Sequence, residues 1–569
     1  MLSRQISRIV LVSFLSGSVA LAQRDSPDSG RHWKRLPFGT TATGSVYVPL
    51  DSWIYPAFER LIALGYIQGA YLDLRPWTRL ACVRLLQRSE ELFGSENINQ
   101  AAAKLYAALR NEFQPDYVLA TRDTPEAHAE IDSVYERSSG VAGRPLNDSF
   151  HFGQTFTDDY GRPFAQGLNQ SAGFAGRAEY GPFSVSFRGE YNYAPGSDAY
   201  SPAVRKAISV MDTNSVLPAQ PETATNELNI LDANLSMNVA GNEISAGKSE
   251  MWWGPGEGGA LSFSNNSNPI YMVRVNRTEP LVIPFFWRLL GPLRYDLFLG
   301  RLEGHISPPG PWMHGEKVTF KPSSNLEFSV SRTVIFAGEG HVPLTFGSFW
   351  NSFTSFSNVP ASVKFSRNDP GARYSGFDFS YRVPFVRNWI TLYTDSLAHD
   401  DVSPLSAPRR AAFRPGMYVS HFPRLPKLDF RAEAAYTDFP TSRSQGGKFY
   451  YFEDFYHDAY TNKQFILGDW IGREGKGGQA WLTYHSTPRE MIQFAYRNAK
   501  SASDFVPGGT TQNDFSLRIV RRVRDDLEVN AFVQLEFWKA PILAPGLQQD
   551  LGLAVQLTYF PRLSWSPAK

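Results

Sequence analysis

Two adjacent tryptophans set among glycines and amide side chains are the part of this chain best suited to chemistry. The segment reads Gly247-Lys248-Ser249-Glu250-Met251-Trp252-Trp253-Gly254-Pro255-Gly256, then Leu261-Ser262-Phe263-Ser264-Asn265-Asn266 and Pro269. Indole faces stack on the C–H faces of pyranose rings, and an Asn amide offers both donor and acceptor to hydroxyls. This is what sugar recognition needs. The same residues equally suit a membrane-interface girdle beside a turn-rich loop. Strand alternation stops after Lys248, so the segment belongs to a loop or folds into a lumen.

A second unusual stretch is Leu467-Gly468-Asp469-Trp470-Ile471-Gly472-Arg473-Glu474-Gly475-Lys476-Gly477-Gly478. Its Gly-Lys pair does not make a phosphate-binding loop. That motif needs Gly where Trp470 stands and Ser or Thr where Gly477 stands. It reads as a charged, Gly-rich loop leading into a strand. Catalytic spacings are missing: there is no H-E-x-x-H and no G-x-S-x-G elbow. The expectation is a non-enzyme without cofactors. His305, His314 and His341 read as surface or lumen residues, since no spacing supports metal ligation. A single cysteine, Cys82, excludes an internal disulfide and a cysteine-based zinc site. Lys and Arg number 56 against 55 Asp and Glu, a balance that removes the electrostatic basis for nucleic-acid binding.

The elements that must position these residues fall into zones. Residues 1–22 carry Arg4 and Arg8, a short apolar run from Ile9 to Leu15, and Ala20-Leu21-Ala22, the pattern of a cleaved signal peptide. Residues 23–47 read as a leader or linker. Residues 48–115 show helical periodicity, with Ile54, Phe58, Leu61 and Ile62 on one stripe ending at Gly65. Thr78 caps a second helix, and a third runs from about Asn97 and stops before Pro115. This predicts a small three-helix bundle, with a linker over 116–148.

Residues 149–560 alternate with period two. Leu551, Leu553, Val555, Leu557 and Tyr559 share one face against Gly552, Ala554, Gln556 and Thr558. Such strands, about 9–12 residues long, match membrane-crossing strands tilted near 45°. Tight turns, as at Tyr180-Gly181-Pro182 and Pro488-Arg489, alternate with long polar loops such as 194–225 and 337–369. The fold class predicted is mainly β: a transmembrane antiparallel barrel of about 18 strands with a small N-terminal helical bundle. A secreted β-sandwich or propeller would explain the alternation, but not the strand length or the turn asymmetry. Arg188, Glu190, Asp429, Arg431 and Glu433 are expected to line the lumen, and Tyr191, Tyr193, Tyr436, Trp538 and Tyr559 to form aromatic girdles. Phe560 would end the last strand, with 561–569 as a tail.

In three places the chain resembles the Wzi-type capsule assembly proteins, outer-membrane barrels with a periplasmic helical bundle. The first is Val48-Pro49-Leu50-Asp51-Ser52-Trp53 through Leu64-Gly65-Tyr66-Ile67 and Arg75-Pro76-Trp77-Thr78-Arg79. The second is the Gly247 to Pro269 segment, the most specific of the three. The third is Gly468 to Gly475 before a hairpin. The resemblance implies non-catalytic, lectin-like binding or organising of capsular or other surface polysaccharide at the cell surface. Its partners would be that polysaccharide, outer-membrane lipid and other capsule export components. The residues it nominates are Trp252, Trp253, Asn265 and Asn266, with Arg277 for an anionic sugar. The helical zone also looks like a surface-layer homology module, but Leu80-Ala81 follows Thr78-Arg79 where that pattern expects an acid. The bundle is therefore expected to be a plug or docking element. The competing function is a porin or solute channel using the charged lumen as its selectivity lining.

Overall fold

The computed structural model describes residues 43–94, 98–121, 127–213, 223–284, 287–356, 359–400, 404, 408–561 and 563–566. The signal-peptide reading falls on residues outside these. Among the described residues, 18 long antiparallel strands, from Ala127–Val141 to Gln548–Tyr559, form a closed barrel. The ring closes where Val134–Val141 of the first strand pair with Tyr559–Gly552 of the last. Closure leaves no unpaired edge, which is the condition for crossing lipid with strands.

Alternation decides which residues meet lipid. On the last strand Leu551, Leu553, Val555, Leu557 and Tyr559 point outward and are 40–46% exposed, while Ala554 is buried inside. Tyr191, Tyr193 and Tyr436 are exposed on the outer surface as well. Trp538 is not a girdle residue. It points into the barrel, 1% exposed, and its Nε1 donates to Asp550 at 3.0 Å.

The short turns all lie at one end, and the helical bundle sits there. Its helices are α1 (Ile54–Ala63), α2 (Arg79–Phe93), α3 (Gln100–Glu112) and α4 (Gln114–Thr121). Ile54, Phe58, Leu61, Trp77, Cys82, Leu86, Leu105, Leu109 and Phe113 make its core. Thr78 caps α2 by accepting from Ala81 N at 3.2 Å. The fourth helix corrects the expectation of three. Pro115 stands at its start, where no intrahelical N–H is needed, and Asp116 is held by buried Arg79 at 2.8–3.1 Å.

The linker expected over 116–148 is likewise corrected, because Ala127–Val141 is the first barrel strand. A bulge between Ile131 and Ser133 shifts its register, so its apolar residues break period two and escape detection. At the other end, residues 561–569 are not wholly a tail. Leu563–Trp565 pair with Ile131–Ala129 below the bulge.

The long loops rise at the opposite end, and three of them, 142–166, 250–269 and 437–474, turn back into the lumen. Phe449, Tyr450, Tyr451, Phe452, Tyr456 and Tyr460 of the longest are buried against Met272, Phe298, Met313, Ile335, Tyr374 and Leu397 of the wall. The lumen thus has an apolar core at the long-loop end. Its charged layer lies nearer the bundle, where Arg188, Glu190, Asp429, Arg431 and Glu433 are buried as expected. Ion pairs dock the bundle on this layer: Arg188 with Asp51 at 2.7 Å, Arg431 with Glu59 at 2.7 Å, and Arg489 with Glu112 at 2.7 Å.

An arginine on the lipid face near the bilayer midplane costs about 2–4 kcal/mol in transmembrane barrels. Leu553→Arg is expected to lower the unfolding free energy by about that amount in phospholipid vesicles, read by urea titration. An unchanged midpoint would place Leu553 away from lipid.

Candidate functional site

The three stretches singled out in the sequence meet inside the barrel. Leu74 and Arg75, from the bundle end, pair antiparallel with Trp253 and Trp252. Gly254 N donates to Asp73 O at 3.0 Å, and Arg75 Nη2 donates to Gly256 O at 2.6 Å. On the other side, Ser264 N donates to Leu467 O at 2.9 Å and Ser264 Oγ to Gly468 O at 2.7 Å. Trp470 Nε1 donates to Gly258 O at 2.6 Å. A Cβ on Gly468 would stand 2.2 Å from Leu261 O, so this crossing demands glycine. The 250–269 segment is therefore a buried tie between the bundle and the inward loop 437–474.

The wall anchors this tie through charge. Glu433 accepts from Glu257 N at 2.8 Å and Gly258 N at 3.1 Å, and Asp395 accepts from Leu261 N at 2.6 Å. Arg414, 1% exposed, bridges Glu433 at 2.7 Å and Asp469. Carboxylates taking backbone N–H groups while paired to a guanidinium satisfy the polar atoms of a loop that has left water.

Of the five residues nominated from sequence, four come together here and one does not. Trp253 is held on every side: its Nε1 donates to Asp296 at 3.0 Å, and its ring packs edge-on against Phe263 and Phe298. Asn266, fully buried, donates to Ile466 O at 3.2 Å and accepts from Asp158 N at 3.4 Å. Trp252 lies under the Arg75 guanidinium at 5.1 Å, and its Nε1 has no partner among the described residues. Asn265 accepts from Tyr160 N through its carbonyl at 2.7 Å. Arg277 stands apart at a short turn near the bundle, donating to Glu279 O at 2.6 Å and Ala240 O at 2.5 Å. Of the two positions expected for the 250–269 segment, a loop or a fold into the lumen, the structure has the second. Hydrogen bonding and packing inside the lumen occupy most of its side-chain surface.

Trp252 and Asn265 do border open space. A chamber of about 420 Å³ extends from Arg497 and Asp514 at mid-barrel to Pro488 at a short turn beside the bundle. Its lining adds residues the sequence reading passed over: Trp53, Trp481, Arg137, Arg518, Gln479, Gln493, Asn530 and Gln556. Most come from the inward, polar rows of the last five long strands. Their amides, indoles and guanidinium groups suit hydroxylated or anionic ligands. Asp158, also on this lining, is pushed up to about 7 by burial and by the nearby Asp469 carboxylate.

At the loop end, His151 latches the inward loops together. Its ring nitrogens meet Asp148 at 2.7 Å and Asp212 at 2.8 Å, and Arg473 reaches Asp212 at 2.6 Å. Asp212 follows helix α5 (Pro202–Met211). Burial alone would lower the imidazole, but the Asp148 and Asp212 carboxylates hold it up to about 10. Burial would likewise raise Asp212, yet His151 and Arg473 hold it down to about 2. A raised histidine stabilises fully below its unfolded value and loses that contribution as pH rises through its folded one; a lowered aspartate loses its contribution as pH falls. The latch is thus expected to be strongest from roughly pH 4 to pH 6.5 and to weaken progressively from there toward pH 10. Limited proteolysis of residues 437–474 should be slowest in the lower range and quicken toward pH 10, and His151→Gln should remove the alkaline transition.

The profile of the family described as "Capsule assembly protein Wzi" matches residues 137–553. A Klebsiella pneumoniae protein, "Uncharacterized 55.8 kDa protein in cps region", is 29% identical over 160 residues, which is 28% of this chain and 31% of that protein. The matched region therefore spans about a third of that relative's length. The solved structure of Escherichia coli Wzi, described as a carbohydrate-binding outer-membrane β-barrel involved in group 1 capsule assembly, superposes with a TM-score of 0.65. It is 17% identical, with 91% of this chain and all of that one covered, a likeness of fold. With its closed wall, its apolar belt and a profile match over most of its length, this protein is an outer-membrane barrel and belongs to the Wzi capsule assembly family.

Proposed function

We propose that the protein binds and organises capsular polysaccharide at the cell surface, as a lectin-like barrel without catalysis. The observation that carries this reading is the filled lumen. Loop 437–474 buries six aromatic rings, from Phe449 to Tyr460, in the apolar core at the loop end, and the bundle docks on the charged layer at the other. A wall of 18 strands is wide enough to conduct, yet here its longest loop is spent on filling it. What such a barrel offers a polymer is its outer crown, where Lys206, Arg443, Ser444 and Gln445 stand exposed. Many weak contacts to repeated sugar units gain strength by avidity.

In this reading Trp252, Trp253, Asn265 and Asn266 hold the crown in shape from below. Trp252 and Asn265 also keep a face on the amide-lined chamber, and Arg277 fixes a turn at the bundle end. The E. coli relative's description as carbohydrate-binding supports the assignment, as does membership of a capsule assembly family. No cluster of three or more His, Cys, Asp or Glu that could hold a metal occurs among the described residues.

Deleting the gene in an encapsulated host is expected to shift capsule from the cell-bound to the released fraction; unchanged retention would remove the functional claim. Purified Trp252→Ala/Trp253→Ala protein is expected to lose polysaccharide binding and thermal stability together. Lost binding with native melting would make the tryptophans direct contacts. In planar bilayers the intact protein should pass no large steady current, whereas deletion of residues 440–470 should open one. Large currents from the intact protein would instead favour the channel reading.

A further inference from the structure

The loop that follows strand Leu326–Phe336 divides: His341 stacks on Phe455 of the inward loop at 3.6 Å and Lys364 pairs with Glu453 at 2.8 Å, whereas its helix lies outside the wall. Between those contacts, residues 345–355 fold back over the outside of the wall. Their helix α6 (Phe346–Thr354) rests on the outward faces of Trp312–Ser323 and Leu326–Phe336. Alternation fixes the side. Met313 lies in the lumen core and Lys317 reaches buried Asp378, so His314 and Glu316 between them point outward. His314 is nonetheless only 1% exposed, because α6 covers it: Nε2 meets Ser352 Oγ at 2.9 Å, and Phe349 and Phe353 pack beside the ring at 5.5 and 6.0 Å. Phe349 joins the outward-facing Leu299, Trp312, Val334 and Phe336 in one apolar cluster.

The opposite side of this helix is bare and aromatic. Phe346, Trp350 and Phe353, spaced i, i+4 and i+7, are 80%, 54% and 36% exposed, and Phe356 beyond the helix is 67% exposed. Their rings stack on one another, Phe346 with Trp350 at 6.2 Å and Trp350 with Phe353 at 6.1 Å. Protein groups meet part of the backbone demand at both helix ends. A Thr345–Ser348 capping box closes the first turn, and Arg332 donates to the carbonyls of Phe353, Ser352 and Ser355 at 2.6–2.9 Å.

We propose that α6 is a membrane-seated helix whose aromatic face inserts into the outer-leaflet boundary between acyl chains and headgroups. The stripe continues the lipid-facing belt of the wall, so its occupant is lipid. An amphipathic helix lying in the interface buries such a face at that depth. An apolar groove on the same wall, lined by Tyr271, Val273 and Leu299, rises to Trp312 and suits a lipid tail, with the half-exposed Arg301 at its upper end paired to Glu339 at 3.7 Å. The helix also explains how outward His314, Glu316 and Arg332 are tolerated, since it shields them from hydrocarbon.

A nitroxide label tests this, because Cys82 is fully buried and stays unlabelled in the folded protein. Trp350→Cys and Phe346→Cys would be labelled and placed in phospholipid vesicles, with Leu553→Cys as the lipid reference and Ser444→Cys as the water reference. Collision with dissolved oxygen should exceed collision with a water-soluble nickel chelate at positions 350 and 346, as at 553. Accessibility matching position 444 at both sites would overturn the proposal and return the stripe to the aqueous crown. Both substituted residues are exposed, and heat-modifiable gel migration confirms that each variant has folded.

Discussion

A closed barrel of 18 strands encloses more space than its own inward side chains can fill, and the rest of this molecule follows from that constraint. Lipid forces closure, because an open edge would leave backbone groups unpaired in hydrocarbon. Closure at this strand number then leaves a choice between a water-filled lumen and one packed from both ends. Here the loop end is packed with apolar residues from the loop 437–474, and the other end receives the chain's own bundle.

Filling a lumen with loops brings a polar cost, since irregular backbone removed from water must find partners. The arrangement of Glu433, Asp395, Asp469 and Arg414 meets it. The carboxylates accept amide protons of residues 257, 258 and 261 or pair with Arg414, which neutralises part of their buried charge. Breaking one partner of such a set would strand the other, so these groups behave as a unit. The same reasoning extends to the bundle, where Arg188, Arg431 and Lys317 of the wall meet Asp51, Glu59 and the Asp73 carbonyl. The tie through Leu74–Arg75 and Trp252–Trp253 makes bundle, inward loops and wall one cooperative body.

Outside, the problem is reversed. Polar residues that alternation places on the lipid face must be hidden, and helix α6 hides His314 and Arg332 while presenting rings outward. Loops of one barrel thus solve two opposite solvation problems: filling inside, covering outside.

The period-two rows such as Leu551 to Tyr559 determined the barrel and its lipid face from sequence alone, because side-chain direction in a strand depends only on position parity. Turn asymmetry likewise determined which end carries the loops, and the Gly65 and Thr78 signals marked helix ends. The first strand was illegible because its bulge breaks parity, and α4 because Pro115 starts a helix as readily as it stops one. What only the tertiary structure decided is where non-periodic segments go. Trp252 and Trp253 have the composition of a surface sugar site, yet they pair with residues nearly 180 positions away inside the lumen. Trp538 has the position of a girdle residue, yet it turns to Asp550. Residue type records what a side chain can do. Whether it faces glycan, lipid or lumen is set by contacts between distant segments, which local periodicity does not encode.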